Sequence, residues 1–316
     1  MGGLDTEDKH RVGELWALGM VLGYAAANLF DRLAVANRDP EISLVGPLLR
    51  GLPSLILGIV LVWKNGTFSQ LRRASAGYIG RRAILPFVWA GLASTAGLFA
   101  YYFALRMGGV IVTIPVLETY VIWGVLFARL YLGERITRPA FAGFGVLLTG
   151  LVALSFGELQ VQALSPQWVW AIPLSGFAAL TYGISGVFWR DGQLRGAHQS
   201  TAILLQFVTS MAVALAVPLF ANFSFLARIS SRDALTLLVS GILSGVVGIY
   251  CMFTALRRMS VARVFAFSGL TPLLATLGAH FLLNEFLNPL ILGGIVAISV
   301  GVTLTQVFRP SEERQA

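Results

Sequence analysis

A single carboxylate, Glu118, lies near the middle of the apolar stretch VIVTIPVLETYVIWGVLF at residues 110–127. An ionised carboxylate that faces hydrocarbon is unfavourable by roughly 3 kcal/mol or more, so we expect Glu118 to face protein or a water-filled cavity. Three roles fit this position. Glu118 can bind a cationic or ammonium group of a substrate, carry a coupling proton, or pair with a buried arginine that fixes the helix packing.

Arg50 also lies well inside an apolar stretch, and we expect it to be the fixed partner of Glu118, because a buried charge needs a partner whatever its function. If both side chains reach one cavity, an amino-acid-like zwitterion can be held between them. A second interpretation stays open, in which Arg50 only holds its helix against neighbouring backbone carbonyl groups.

A polar face in the first apolar segment carries Tyr24, Asn28 and Asp31, which are spaced four and three residues apart and therefore share one side of a helix. The related segment in the second half of the chain presents Tyr182 and Ser185 on a similar face. Two such faces suit a shared substrate pathway. They equally suit a hydrogen-bonded seam between membrane helices.

The other residues that we assign to the predicted pathway are Tyr101, Tyr102, Trp123 and Arg263. The two tyrosines lie in the third apolar segment, the tryptophan lies one turn beyond Glu118, and the arginine opens the ninth segment. Each also fits a simpler role, as a core residue, a member of the interfacial aromatic belt or an anchor at the inner face.

The composition indicates that membrane-spanning helices position these residues. The chain has 316 residues, of which 56% are hydrophobic and 12% charged, whereas a soluble domain is about one quarter charged. Its charges cluster between apolar runs of about 20 residues, the length of a helix that spans a bilayer. Ten runs are predicted, at residues 13–36, 42–63, 83–105, 109–131, 139–156, 168–189, 199–220, 234–256, 261–283 and 289–308.

The distribution of basic residues predicts the orientation. If the amino terminus is cytoplasmic, most Lys and Arg residues fall in cytoplasmic connections, as the positive-inside rule requires. An even number of spans then places both termini in the cytoplasm. The net charge of +8 is explained by topology, so we predict no nucleic-acid partner. The start of the chain, with AVA at 34–36, also resembles a signal peptide, but Asp31 and Arg32 precede that site and we expect the first span to be retained.

An internal repeat appears when the chain is shifted by 151 residues. Leu105 and Arg106 then fall on Leu256 and Arg257, and Glu134 falls on Glu285. Because each unit contains five spans, an odd number, the second unit must enter the membrane inverted. We therefore predict an all-α polytopic membrane protein whose ten transmembrane helices form two inverted five-helix repeats, residues 1–157 and 158–316. Inverted repeats are typical of secondary transporters with a midplane site.

Several motifs give the chain a family resemblance. They are EISLVGPLLRGL at 41–52, LYLGERIT at 130–137 and SGLTPLLATLGAHFLLNE at 268–285, which contains the mid-helix Pro272. The chain resembles the drug/metabolite transporter superfamily, of the type built from two EamA repeats. It departs from the pattern at Val121, the counterpart of Pro272.

This resemblance and the repeat predict a secondary transporter or exporter of small polar or amphiphilic metabolites, amino-acid-like or drug-like, that works by alternating access, with proton coupling through Glu118 as one option. A passive channel is the alternative. A membrane enzyme is disfavoured because the three histidines are scattered and no metal-ligand spacing is present, and the lack of a nucleotide-binding motif indicates that a gradient rather than ATP drives transport. With Cys251 as the only cysteine, we predict no metal and no cofactor. The partners are a small-molecule substrate and the lipid bilayer.

Glycines 143, 150, 294 and 301 recur at seven-residue spacing in spans 5 and 10. Such spacing is typical of close helix packing, and a homodimer through spans 5 and 10 is one form that this packing can take. The absence of an organelle-targeting signal favours the bacterial inner membrane as the location.

Overall fold

The structure is a computed structural model that describes residues 3–36, 41–133, 137–159, 167–220, 229–256, 258 and 261–307. Within these ranges the chain forms helices and short connections and no strand. The α-helices are α1 (Gly3–Val35), α2 (Ile42–Lys64), α3 (Arg81–Leu117), α4 (Tyr120–Leu132), α5 (Arg138–Leu159), α6 (Trp168–Leu194), α7 (Gln199–Phe220), α8 (Ser231–Gly241), α9 (Ile249–Leu256), α10 (Val261–Ser268), α11 (Thr271–Leu283) and α12 (Pro289–Val307).

Seven helical segments of the described chain are long and apolar enough to cross a membrane. Three more are apolar but shorter, namely Tyr120–Leu132, Phe141–Leu154 and Pro289–Thr305. The predicted all-helical, multi-pass membrane architecture is confirmed at this level. The number of ten spans stays a prediction, as does the division of the chain at residue 157.

Two apolar runs contain interrupted helices. Within α3 the backbone at Gly109 is non-helical, with φ 69° and ψ −172°, a conformation that glycine adopts readily because it lacks a Cβ. The helix resumes to Leu117 and is interrupted again at Glu118 and Thr119, before α4 begins. In the second half of the chain, Gly269 and Leu270 separate α10 from α11 in the same way.

The interruptions at Glu118–Thr119 and at Gly269–Leu270 occupy equivalent positions of the 151-residue repeat. Shifting α4 by this offset places it on α11 from the first residue to the last. Both helices also end on a residue in the left-handed conformation, Gly133 with φ 73° and Asn284 with φ 55°. Glycine and asparagine are the residues that favour this C-terminal position. The duplication seen in the sequence therefore extends to local backbone geometry.

A π-helical segment, Ile242–Gly248, connects α8 and α9 within one continuous helical run. It packs against α1 and α2. Gly248 lies against the ring of Tyr24, and Gly241, which directly precedes the segment, lies against the backbone of Arg50. A π segment changes the direction of the side chains that follow it, and such segments are frequent at functional sites. Here it turns Ser244 toward Arg50.

Helices α5 and α12 pack closely against each other within the chain, at the glycines for which the sequence predicts close packing. A Cβ atom placed on Gly150 would lie 2.6 Å from the carbonyl oxygen of Gly294, and one on Gly294 would lie 2.6 Å from the amide nitrogen of Leu154. These approaches are possible only without side chains. The glycine spacing is thus explained by intrachain packing, and the homodimer stays a prediction.

The substitution Gly294→Leu should destabilise the protein because the added side chain has no space between α5 and α12. Overpacking is unfavourable by about 1–3 kcal/mol, which should lower the apparent Tm in detergent by roughly 5 °C. The matched control is Gly293→Leu, the neighbouring glycine, where an added Cβ would meet no atom within 4 Å. Equal Tm values for the two variants would contradict the packing assignment.

Candidate functional site

A cavity of about 470 Å³ lies among α1, α2, α3, α6, α7 and the π segment. This volume falls within the range of small-molecule sites. The residues of its wall that matter for the chemistry are Tyr24, Asn28, Arg50, Tyr101, Tyr182 and Gln206. Helices from both halves of the chain enclose it, so each half contributes to one shared site.

The charged centre beside the cavity is an ion pair between Arg50 and Asp31, with 3.0 Å between Nη1 and Oδ2. The Asp31 side chain is completely buried. Tyr101 donates its hydroxyl hydrogen bond to Oδ2 at 3.1 Å, and Tyr102 donates to Oδ1 at 2.8 Å. Both carboxylate oxygens therefore have charged or hydroxyl partners, as a buried carboxylate requires.

Local sequence explains how two adjacent tyrosines reach one carboxylate. The rings of Tyr101 and Tyr102 meet edge to face with 5.3 Å between their centroids, a favourable aromatic geometry. The Tyr102 ring lies over Gly46 of α2, where a Cβ would come within 2.6 Å of it. A small residue at this position is what allows the tyrosine to approach Asp31. The Tyr101 hydroxyl also lies 3.1 Å from Oδ1 of Asn28, one turn before Asp31.

Arg50 has two further contacts that hold its guanidinium at the cavity wall. Its Nε donates to the Ser244 hydroxyl at 3.3 Å, and its Cζ lies 5.5 Å from the centre of the Tyr101 ring, within the range of a cation–π interaction. The side chain keeps 17% of its surface exposed. Arg50 therefore joins α2 to α1, α3 and the π segment while part of it remains open to the cavity.

Glu118 lies at the break between α3 and α4, is 7% exposed, and does not contribute to the cavity wall. Its neighbour Leu117 does. Within the described ranges, Oε2 of Glu118 is buried without a hydrogen-bond partner. The carboxylate paired with Arg50 is that of Asp31, so the expectation of a Glu118–Arg50 pair is wrong. Helix order in sequence does not reveal that the carboxylate facing Arg50 of α2 comes from α1 rather than from the break between α3 and α4.

Five of the nine predicted pathway residues line the cavity: Tyr24, Asn28, Arg50, Tyr101 and Tyr182. Tyr102 contacts the buried Asp31 instead. Trp123 is 40% exposed and packs beside Gly183, away from the cavity wall. Arg263 lies in α10, and its side chain falls outside the described structure. The pathway assignment as a whole stays a prediction.

A second ion pair, Arg32 with Glu285, connects α1 to the end of α11, with 2.9 Å between Nε and Oε1. Nη1 of Arg32 donates to the carbonyl oxygens of Leu105 and Arg106. Glu285 accepts hydrogen bonds from the amides of Val110 and Ile111 at 2.9 and 3.1 Å, just after the break at Gly109. A carboxylate is favourable at amides that begin a helical segment.

Asp31 belongs to the polar face predicted from the sequence but not to the predicted pathway, and Ser244 belongs to neither. A carboxylate four residues before the end of an apolar helix was the available signal for Asp31. Ser244 had no comparable signal, because its orientation follows from the π segment. Among the described residues, no group of three or more His, Cys, Asp and Glu side chains is arranged to hold a metal ion.

Comparison with known proteins agrees with this architecture. A protein of known crystal structure superimposes with a TM-score of 0.62 at 17% sequence identity, over 92% of this chain and 95% of its own, which shows a shared fold. No curated protein has significant sequence similarity to the chain. Two stretches, residues 11–156 and 169–307, match the EamA-like transporter family. The predicted resemblance is confirmed, and the chain belongs to the EamA-like transporter family.

Proposed function

We propose that this membrane transporter is a secondary transporter that exports small polar or amphiphilic metabolites, amino-acid-like or drug-like, by alternating access through the cavity. The observation that carries the proposal is a cavity of about 470 Å³ with an arginine in its wall, enclosed by helices of both halves. In secondary transporters with inverted repeats, the substrate site lies between the repeats in the same way.

Ten membrane spans in two inverted repeats are part of the proposal. Helix α4 has 13 residues, about 20 Å of helix, which is shorter than a hydrocarbon core of about 30 Å. Together with the segment that begins at Val110, it covers 110–132, roughly 34 Å. Helices α10 and α11 cover 261–283 in the same manner. Each interrupted pair is long enough to be one span, which supports the count of ten.

The interrupted spans also supply the points at which the two halves can rock. At the repeat-equivalent positions Glu118–Thr119 and Gly269–Leu270, hydrogen bonds between residues three apart replace part of the α-helical pattern. A 3₁₀-like turn within a helix often marks a functional hinge. A hinge absorbs its changes in φ and ψ at a few residues of this kind. We assign the change between the two access states to these positions.

Glu118 is the group that we assign to proton coupling. Its Oε2 is buried without a partner among the described residues, unlike either oxygen of Asp31. A buried carboxylate oxygen without a partner is a place where a coupling proton can bind, and a change of access that hydrates the break would allow the proton to leave. Such exchange couples a proton gradient to transport.

The remaining parts of the proposal concern orientation and location. The distribution of basic residues favours cytoplasmic termini, and we assign the protein to the bacterial inner membrane. A homodimer through spans 5 and 10 would use the outer surfaces of α5 and α12, which expose Leu148, Val152 and Val296, since their glycines already contact each other within the chain.

The substitution Gly186→Leu should block transport by filling the cavity. Gly186 lines the cavity, and an added Cβ would meet no atom within 4 Å, so the isobutyl group should occupy substrate volume without disturbing the fold. We expect flux of a transported compound into proteoliposomes to fall about tenfold or more. The transported compound is first identified by measuring the flux of a panel of labelled metabolites into proteoliposomes at two pH values. The control is Gly176→Leu on the same helix, also with free space. Full flux in Gly186→Leu would exclude this cavity.

The substitution Glu118→Gln should remove the response to a pH gradient while preserving exchange of substrate across the membrane. Glutamine resembles the protonated glutamate in shape but cannot release a proton. Flux driven by a pH gradient and counterflow without one are measured on the same proteoliposomes. The control is Glu14→Gln, an exposed glutamate of α1. An unchanged pH response would exclude Glu118 as the proton carrier. Linear, unsaturating flux without counterflow would favour a channel.

Inversion of the repeats predicts that Arg81 and Arg232 lie on opposite sides of the membrane. Both are exposed and are separated by the 151-residue offset, near the start of α3 and of α8. Each is replaced by cysteine in a Cys251→Ser background, and membrane-impermeant thiol reagents are applied to intact cells. Position 232 should react and position 81 should react only after the cells are opened. Labelling of both in intact cells would contradict the inversion.

A further inference from the structure

We propose that Arg50 binds the carboxylate of the transported compound, so that the substrates are organic carboxylates with an apolar body. This inference rests on the proposed transport through the cavity and specifies the class of compound. A cation and a zwitterion held between two protein charges are both disfavoured by the arrangement of groups described above.

Charge at the cavity wall is positive. Among the described residues that line the cavity, Arg50 is the only one with a charged side chain at neutral pH, and none is Asp or Glu. The carboxylate that balances Arg50 has no exposed surface, whereas the Arg50 side chain keeps 17%. A compound in the cavity therefore meets the guanidinium and not the carboxylate. Planar guanidinium groups match the geometry of a carboxylate and can bind it with two parallel hydrogen bonds.

Asp31 can remain satisfied when Arg50 turns toward a ligand. Its two oxygens accept hydrogen bonds from Tyr102 at 2.8 Å and Tyr101 at 3.1 Å. These two hydroxyl donors stay in place when Arg50 directs its other N–H groups to a ligand. The contact between Arg50 and Ser244 is longer, at 3.3 Å, and a ligand oxygen can replace it. The tyrosines thus allow the arginine to bind an anion without leaving a buried charge unpaired.

The rest of the cavity wall fits an apolar body with a few polar substituents. Aromatic side chains line it, among them Tyr24, Tyr182, Trp189 and Phe207. The amide of Gln206 and the hydroxyl of Ser94, which are hydrogen-bonded at 3.4 Å, also lie in the wall. Glu118, which an ammonium group would require, does not reach the cavity. The wall is therefore complementary to an amphiphilic anion.

The test compares three probes of one shape and different charge, namely 3-phenylpropionate, 3-phenylpropionamide and 3-phenylpropylamine. Their dissociation constants for the purified full-length protein are measured by calorimetry. We expect the carboxylate to bind about tenfold more tightly than the amide, because a charged acceptor strengthens the hydrogen bond to arginine, and the amine to bind most weakly. Equal affinities for all three, or preference for the amine, would overturn the proposal.

Two variants assign the preference to Arg50. Arg50→Lys keeps the charge but loses the planar donor pair, and it should weaken carboxylate binding severalfold. The double variant Arg50→Gln with Asp31→Asn removes both charges together, so that no unpaired charge is buried, and it should bind the acid and the amide equally. The control removes another ion pair, Arg195 with Asp191, by Arg195→Gln and Asp191→Asn. Retained preference in the first double variant would overturn the proposal.

Failure of the binding site and failure of the transport function give different results. Carboxylate binding that depends on Arg50, without flux of labelled 3-phenylpropionate or of any panel compound into proteoliposomes, supports the binding site and contradicts secondary transport. Flux of panel compounds in which neutral and cationic members are transported as well as carboxylates supports transport and overturns the carboxylate site. Flux confined to carboxylates, and lost in the double variant, supports both.

Discussion

The architecture around the cavity depends on the burial of one carboxylate, Asp31, in the apolar interior. An unpaired charge there would be strongly destabilising, so groups from two other helices converge on it: Arg50 from α2, and Tyr101 and Tyr102 from α3. These contacts fix α1, α2 and α3 relative to one another. Through Ser244 the same arginine reaches the π segment of the second half. The contacts of this one buried charge therefore reach from the first half of the chain to the second.

A second network of hydrogen bonds, centred on Arg32 and Glu285, connects α1 to the interrupted helices. Arg32 follows Asp31 in α1 and connects the carbonyl groups of Leu105 and Arg106 to Glu285. Glu285 in turn accepts the amides after the break at Gly109. Neighbouring residues of α1 thus hold the cavity and the start of the fourth span. In the proposed cycle, a movement of α1 would affect the substrate site and the helix break together, which is a physical route for coupling them.

The helices were predictable from sequence because an apolar run of membrane length must satisfy its backbone hydrogen bonds internally in lipid, which an α-helix does. The interruption at Gly269 had a signal in Pro272, but the equivalent interruption at Glu118 had none, since Val121 replaces the proline. Polar faces were also predictable, because helical spacing is local. The partner of Arg50 was not, because it depends on how α1 and α2 rotate about their axes. That rotation is set by packing, for example the small Gly46 beneath Tyr102.

Two buried carboxylates of this chain have opposite surroundings, and this difference argues for separate roles. Asp31 has three partners, among them the guanidinium of Arg50, whereas Glu118 has an oxygen without a partner. In the proposed transporter, the anionic substrate meets Arg50 and the proton resides on Glu118. When one carboxylate leaves the cell while one proton enters, two elementary charges move in the direction that an inside-negative potential favours, each contributing about 2.3 kcal/mol per 100 mV. Export of the anion by proton exchange is therefore driven by the membrane potential as well as by the pH gradient.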